Sequence, residues 1–143
     1  MGFTSRLMLA VVAFVSALPT NAQGIHWEKC RPGQPNTADK TCVVDGDTIW
    51  LNGINVRLEG YDTPEPQTNI CGGDREKALA DKASDWLVEL LNTRTWEVDL
   101  SGAQGSYGRE IGTIKVDGRD VGEILVEEGL ARWWPNGAEW WCD

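Results

Sequence analysis

The sequence predicts an α+β fold built on a small antiparallel sheet or barrel. Three observations predict it: short β-prone runs broken by turn residues, one long amphipathic helix set among them, and no βαβ rhythm. Residues 24–40 (GIHWEKCRPGQPNTADK) are polar and rich in turn formers, so residues 23–40 are expected to form an irregular arm ahead of a domain spanning 41–143. From Cys42 the pattern changes to Val43-Val44 and then Thr48-Ile49-Trp50-Leu51, residue types that fit a pleated, half-buried surface. Asn52-Gly53 and a second run, Ile54-Asn55-Val56-Arg57-Leu58, follow. An Asn-Gly pair between two such runs signals a hairpin, because a type I′ turn needs positive φ at both central residues. Two-residue pairing sets Leu51 opposite Ile54, Ile49 opposite Val56 and Thr48 opposite Arg57.

Over 74–91, Leu79, Ala83, Trp86, Leu87 and Leu90 recur at helical spacing and form one apolar stripe. Gly72-Gly73-Asp74 precede this helix and Asn92 can end it. Residues 95–100 then alternate, with Trp96, Val98 and Leu100 on one face. A glycine-rich connection (SGAQGSYG) leads to a strand over 110–116, closed by Asp117-Gly118. Asp120 caps a short helix, with Glu123 at the capping-box position, Gly129 as the stop and Leu130 as its hydrophobic contact. Five short strands with a helix after the third suit an OB-type barrel, a fold that commonly binds oligonucleotides.

The chain opens on a segment with the pattern of a secretory signal. Arg6 supplies a positive charge, Leu7 to Leu18 is an apolar run, and Thr20-Asn21-Ala22 offers small residues for cleavage. A membrane anchor is the other reading, but 12 residues fall short of the roughly 20 that span a bilayer. Residues 1–22 are therefore expected to be removed, and no second apolar span places the mature form in a membrane. A secreted or periplasmic protein, active as a monomer, is expected. Four cysteines (Cys30, Cys42, Cys71 and Cys142) contain no C-x-x-C pair, and His26 is the sole histidine, which disfavours a zinc site. In an oxidising compartment two disulfides are natural, with three possible connectivities. Cys30–Cys42 with Cys71–Cys142 is favoured, since it would pin the arm to the first strand and tie down the C-terminus.

Charge poses a difficulty for any polyanion partner. The chain carries 13 basic and 22 acidic residues, formally −9, and loss of residues 1–22 removes only Arg6 and leaves −10. Proteins that grip nucleic acid through its backbone are usually basic. A local positive site, a bridging metal, or both would be needed.

Asp45-Gly46-Asp47 alone reads as an ordinary turn, and Asp62-Thr63-Pro64-Glu65 as the start of a turn or helix. The hairpin changes that. Asp47 opens its first strand and Asp62 lies just past the end of its second, so both carboxylates come to one end of the ladder. Carboxylates held close must share a proton or a cation, and hard oxygen ligands select Ca²⁺ or Mg²⁺. Alternation places Asp47 opposite Leu58 and on the other face from Arg57, so Asp47 must sit at the frayed end of the ladder for both to address one ligand. Arg57 taken alone suits an ion pair on a solvated face, with Glu59 for example. Beside two acids it suits a phosphate clamp, because a planar guanidinium matches phosphate oxygens bidentately. Ser106-Tyr107-Gly108-Arg109 brings a second arginine on a glycine-flanked loop.

These motifs together, Val44-Asp45-Gly46-Asp47-Thr48, Val56-Arg57-Leu58, Asp62-Thr63-Pro64-Glu65, Tyr107-Gly108-Arg109 and Asp117-Gly118, resemble the staphylococcal nuclease family. Val126-Glu127-Glu128-Gly129-Leu130-Ala131 is similar to that family's late helix and its exit. The likeness covers about residues 41–134. It implies a five-stranded OB barrel with three helices. It also implies Ca²⁺ held by Asp47, Asp62 and the Thr63 carbonyl, Glu65 as general base, Arg57 and Arg109 on the scissile phosphate, and Tyr107 on a terminal phosphate. The implied activity is calcium-dependent hydrolysis of phosphodiester bonds in DNA or RNA. The segment after Glu65 (PQTNICGG) is shorter than the basic loop of the family's best-known member, and lysine richness is missing. Weaker binding, or a preference for short or single-stranded substrates, is expected. Two other functions compete: a non-catalytic OB module that grips nucleic acid or nucleotides, and a calcium-stabilised exported domain for protein contacts. Of the eight tryptophans, Trp133-Trp134 and Trp140-Trp141 fit packing of the C-terminal tail, or base stacking.

Overall fold

The computed structural model describes residues 24–143, so the expected signal segment at 1–22 lies outside the described residues. Asn52 (φ 48°) and Gly53 (φ 79°) both take positive φ, as a type I′ turn demands, and join β2 (Thr48–Leu51) to β3 (Ile54–Leu58). The register pairs Leu51 with Ile54, Ile49 with Val56 and Thr48 with Arg57. β1 (Cys42–Asp45) lies antiparallel on β2, with a register shift between Val43 and Asp45 that turns the chain at Gly46. The later elements are β4 (Tyr61–Asp62), α1 (Gly73–Thr93), β5 (Trp96–Gln104), β6 (Glu110–Val116), β7 (Arg119–Asp120), α2 (Val121–Glu127) and β8 (Arg132–Trp133).

The main sheet runs β1-β2-β3-β6-β5 with β7 on β6, and β4 pairs with β8 in a separate two-stranded ladder. One expectation is corrected here: β3 and β6 are parallel, so the sheet is mixed and not antiparallel throughout. The physical reason is the connection, since α1 and β5 intervene and return the chain in its original direction, as a parallel pair requires. The sheet does not close on itself, because β1 and β5 are its two ends. The described residues hold two α-helices, against about three expected, together with short 3-10 turns at Ser106–Gly108 and Trp140–Cys142. β5 also runs on to Gln104, through part of the expected glycine-rich loop, by a second register shift after Leu100.

α1 turns Ala80, Ala83, Leu87 and Leu91 into the core against Val43, Ile49, Val56, Leu58 and Ile114. Leu79 and Trp86, expected as members of the stripe, flank it half-buried. At α2, the Asp120 carboxylate accepts the Gly122 N–H at 2.7 Å, and Gly129 (φ 71°) ends the helix.

The arm is more ordered than its composition implies. Cys30 N–H donates to the Val43 carbonyl and Val43 N–H to that of Glu28, at 2.8 and 2.9 Å. Trp27 is buried edge-on against Trp96, and the Asn92 side chain brackets its backbone at 2.8 and 2.9 Å. Disulfides join Cys30 to Cys42 and Cys71 to Cys142. Among the described residues no helix is long and apolar enough to cross a membrane.

Candidate active site

The corner between β1 and β2 is set by close backbone approach. A Cβ on Gly46 would come within 2.6 Å of the Thr63 methyl and 2.9 Å of Ala83, so only glycine fits. The buried Tyr61 hydroxyl donates to the Gly46 carbonyl at 2.7 Å, and Thr63 N–H donates to Asp47 Oδ2 at 3.1 Å. These bonds stitch the chain around β4 to the corner and leave Asp47 only 5% exposed.

Arg57 resolves the facing problem by folding over the end of the hairpin. Its guanidinium donates to the carbonyls of Leu58 (2.7 Å), Tyr61 (3.1 Å) and Asp47 (3.3 Å). It also meets Asp47 Oδ2 at 3.2 Å and Asp62 Oδ1 at 3.6 Å, bridging the two carboxylates. Arg57 does not pair with Glu59 on a solvated face.

Arg132, which no sequence feature singled out, completes the environment of Asp62. Its Nε meets Asp62 Oδ2 at 2.9 Å, and its remaining nitrogens bond the Gly137 carbonyl and Glu139 at 2.8 and 2.7 Å. The β4–β8 pair that delivers it is two residues long, too short to leave a period-two signal. Arg132→Ala is expected to destabilise the fold by about 3 kcal/mol, because it removes the nearer cation from a half-buried carboxylate and leaves it only the 3.6 Å pair with Arg57. A shift of the urea midpoint reads this, and an unchanged midpoint would refute it.

Three carboxyls at this corner are pushed upward. Asp47 is raised to about 7, by burial first and then by Asp45, against the pull of Arg57 and the Thr63 N–H. Burial and ion pairing oppose each other there, and burial wins. Asp62 is raised mainly by burial, with Asp47 adding and Arg132 opposing. Glu65 is raised by burial and then by Asp47, Asp62 and Glu76. Crowded acids of this kind are what a bound cation relieves. The donor set fits a hard divalent ion: two carboxylates near one guanidinium, with Thr63, whose buried hydroxyl oxygen lacks a hydrogen-bond partner, bonded to Asp47 through its N–H. Among the described residues three acidic or sulfur ligand atoms converge within 4.8 Å only at Cys71, Glu139 and Cys142. That cluster is not a metal site, since its sulfurs are joined in a disulfide. A cation at Asp47 and Asp62 would therefore rely on backbone and water oxygens as well.

Asp47, Arg57, Asp62, Glu65, Tyr107 and Arg109 all line one cleft of about 720 Å³, while Thr63 is buried behind it. Arg109 follows the 3-10 turn, its Nε held by the Ser106 carbonyl at 3.1 Å and its guanidinium 5.6 Å from the Tyr107 ring centre. No carboxylate pairs with Arg109 among the described residues. Tyr107 is 96% exposed at φ 62°, an uncommon backbone state for a bulky residue. Trp134 also lines the cleft, with the Arg132 guanidinium 5.1 Å from its ring. Trp141, by contrast, is buried as tail packing requires.

A family model described as staphylococcal nuclease homologue matches residues 55–138. The chain is 34% identical over 93 residues to a succinoglycan biosynthesis protein, ExoI, of Rhizobium meliloti, covering 62% of this chain and 48% of that protein. It is 37% identical over 97 residues to the SPbeta prophage-derived endonuclease YokF of Bacillus subtilis, covering 63% and 31%. Endonuclease YncB of the same organism shows 37% identity over 97 residues, covering 63% and 44%. The chain thus spans between about a third and a half of the length of these curated relatives.

Proposed function

This chain belongs to the staphylococcal nuclease family, and we propose that it is an exported, calcium-dependent nuclease that hydrolyses phosphodiester bonds in DNA or RNA. The observation that carries the proposal is the pairing of Arg109, free of any carboxylate among the described residues, with the crowded acids Asp47, Asp62 and Glu65 in one cleft. Two relatives named as endonucleases support the same chemistry.

Asp47, Asp62 and the Thr63 carbonyl would hold Ca²⁺, which supplies positive charge against the charge gathering on phosphorus. Arg57 and Arg109 bind the scissile phosphate and neutralise its oxygens. Glu65, raised above the ordinary glutamate value, accepts the proton of the attacking water as the new P–O bond forms. The P–O ester bond then breaks, and the departing oxygen takes a proton from solvent. Tyr107 borders a terminal phosphate. The local guanidiniums and the cation answer the objection raised by the −9 charge, while the acidic surface favours short or single-stranded substrates.

Two disulfides support a secreted or periplasmic location. Family membership supports reading the open sheet as a five-stranded OB-type barrel, and the protein as a monomer. Plasmid, single-stranded DNA and RNA incubated with the protein test the proposal. Degradation in calcium that stops in EGTA is expected, with single strands cut faster than duplex. Nucleic acid left whole by folded protein in calcium would favour the binding-module alternative.

A further inference from the structure

Glu76 lies in the first turn of α1, a helix of 21 residues, and is 1% exposed. A carboxylate buried to that degree is costly unless donors surround it. Backbone N–H groups do so: Glu65 donates to Oε2 at 3.1 Å, while Cys71 and Gly72 donate to Oε1 at 3.2 and 3.1 Å. The Trp141 side chain adds another hydrogen bond. Burial alone would push the Glu76 carboxyl up, but the N–H bonds from Gly72, Glu65 and Cys71 hold it below the ordinary glutamate value.

Glu65 stands apart in the chain from the adjacent pair Cys71 and Gly72. They are the two ends of the segment 65–72, whose middle residues, 67–71, are exposed. One carboxylate therefore clamps the beginning and the end of the segment that carries Glu65 and sets it against the body of α1. The C-terminal turn closes over the clamp. Cys71 is joined to Cys142, Trp141 is buried, and a Cβ on Gly72 would overlap the Trp141 carbonyl. Among the described residues, no other hydrogen bond ties the backbone between the buried Pro64 and Gly72 to α1, except the helix's own first bond, Glu76 N–H to the Gly72 carbonyl.

We propose that Glu76 is a positioning residue for Glu65, fixing through the Glu65 N–H the backbone from which that side chain reaches the cleft. The inference rests on the nuclease reading and adds to it a residue that touches neither substrate nor metal. Glu76→Gln keeps shape and volume but replaces one acceptor oxygen with an NH₂ group that must face N–H donors. Misplacement of a reacting group by about 1 Å can cost about 10²-fold, so kcat is expected to fall by about 10–100-fold. KM and half-saturating calcium are expected to stay within about threefold of wild type, because the phosphate and cation ligands are untouched.

The decisive readout is non-additivity. Because Glu76 acts through Glu65, adding E76Q to Glu65→Gln is expected to lower kcat by less than about threefold. Losses that multiply in the double variant, or an E76Q protein with wild-type kcat, would overturn the proposal and leave the nuclease reading standing. A wild type that cuts no nucleic acid would overturn both. If E76Q does not fold, amide hydrogen exchange in the wild type still decides. The Glu65, Cys71 and Gly72 amides are expected to exchange at least about 100-fold slower than an unstructured chain. Free exchange at Glu65 would overturn the clamp.

Discussion

Glu65→Gln is expected to lower kcat by about 10²–10⁴-fold, the range associated with removing a general base. Glutamine preserves the side chain's size and its place in the cleft but cannot take a proton from water. The loss should fall on kcat, with KM and half-saturating calcium little changed, because Arg57, Arg109, Asp47 and Asp62 remain. Steady-state rates on single-stranded DNA at saturating calcium read the effect. A Glu65→Gln protein within about threefold of wild type would assign the base to another group.

Asp47→Asn is expected to separate stability from function. The folded-state value of about 7 lies above the ordinary 3.8, so the fold favours the neutral carboxyl. The sign follows from linkage: that stabilisation is complete below about pH 4 and is lost as pH rises through about 7. Above that value the ionised side chain costs stability on the order of 2–4 kcal/mol when no cation is bound. Asparagine carries no such charge. The variant in EGTA should therefore unfold at higher urea than wild type at pH 8 and show no such advantage at pH 4. Calcium should raise the wild-type midpoint, because a ligand that binds only the folded state stabilises it. It should leave the variant's midpoint where it was and restore little activity. If Asp47→Asn instead lowered the midpoint at pH 8, the 3.2 Å pair with Arg57 would outweigh burial, opposite to the balance argued above.

The hairpin was legible because its determinants are local. Asn52-Gly53 dictates the turn, the turn dictates the register, and the register delivers Asp47, Arg57 and Asp62 to one end. The capped α2 and the 110–116 strand were legible for the same reason. The parallel β3–β6 pair was not, because no residue in either strand encodes the direction in which a long crossover returns. Arg132 and Asp62 stand 70 residues apart and meet through a ladder of two pairs. Nothing local marks such a meeting. Trp27 sits in a polar, turn-rich stretch, and its burial depends on Asn92 and Trp96, which come from distant elements. Glu76 carried no signal either, since an acid in a helix's first turn is ordinarily a solvated partner of the helix dipole. Its burial follows from the disulfide and the C-terminal turn that cover it.

The most direct measurement is the rate at which wild type and Arg109→Ala cut a fluorogenic single-stranded oligonucleotide, each in calcium and in EGTA. The expected result is cleavage by wild type in calcium, none in EGTA, and a rate about 10²–10³-fold lower for Arg109→Ala at unchanged half-saturating calcium. An oligonucleotide left intact by folded wild-type protein at saturating calcium, or cut equally well by Arg109→Ala, would contradict it.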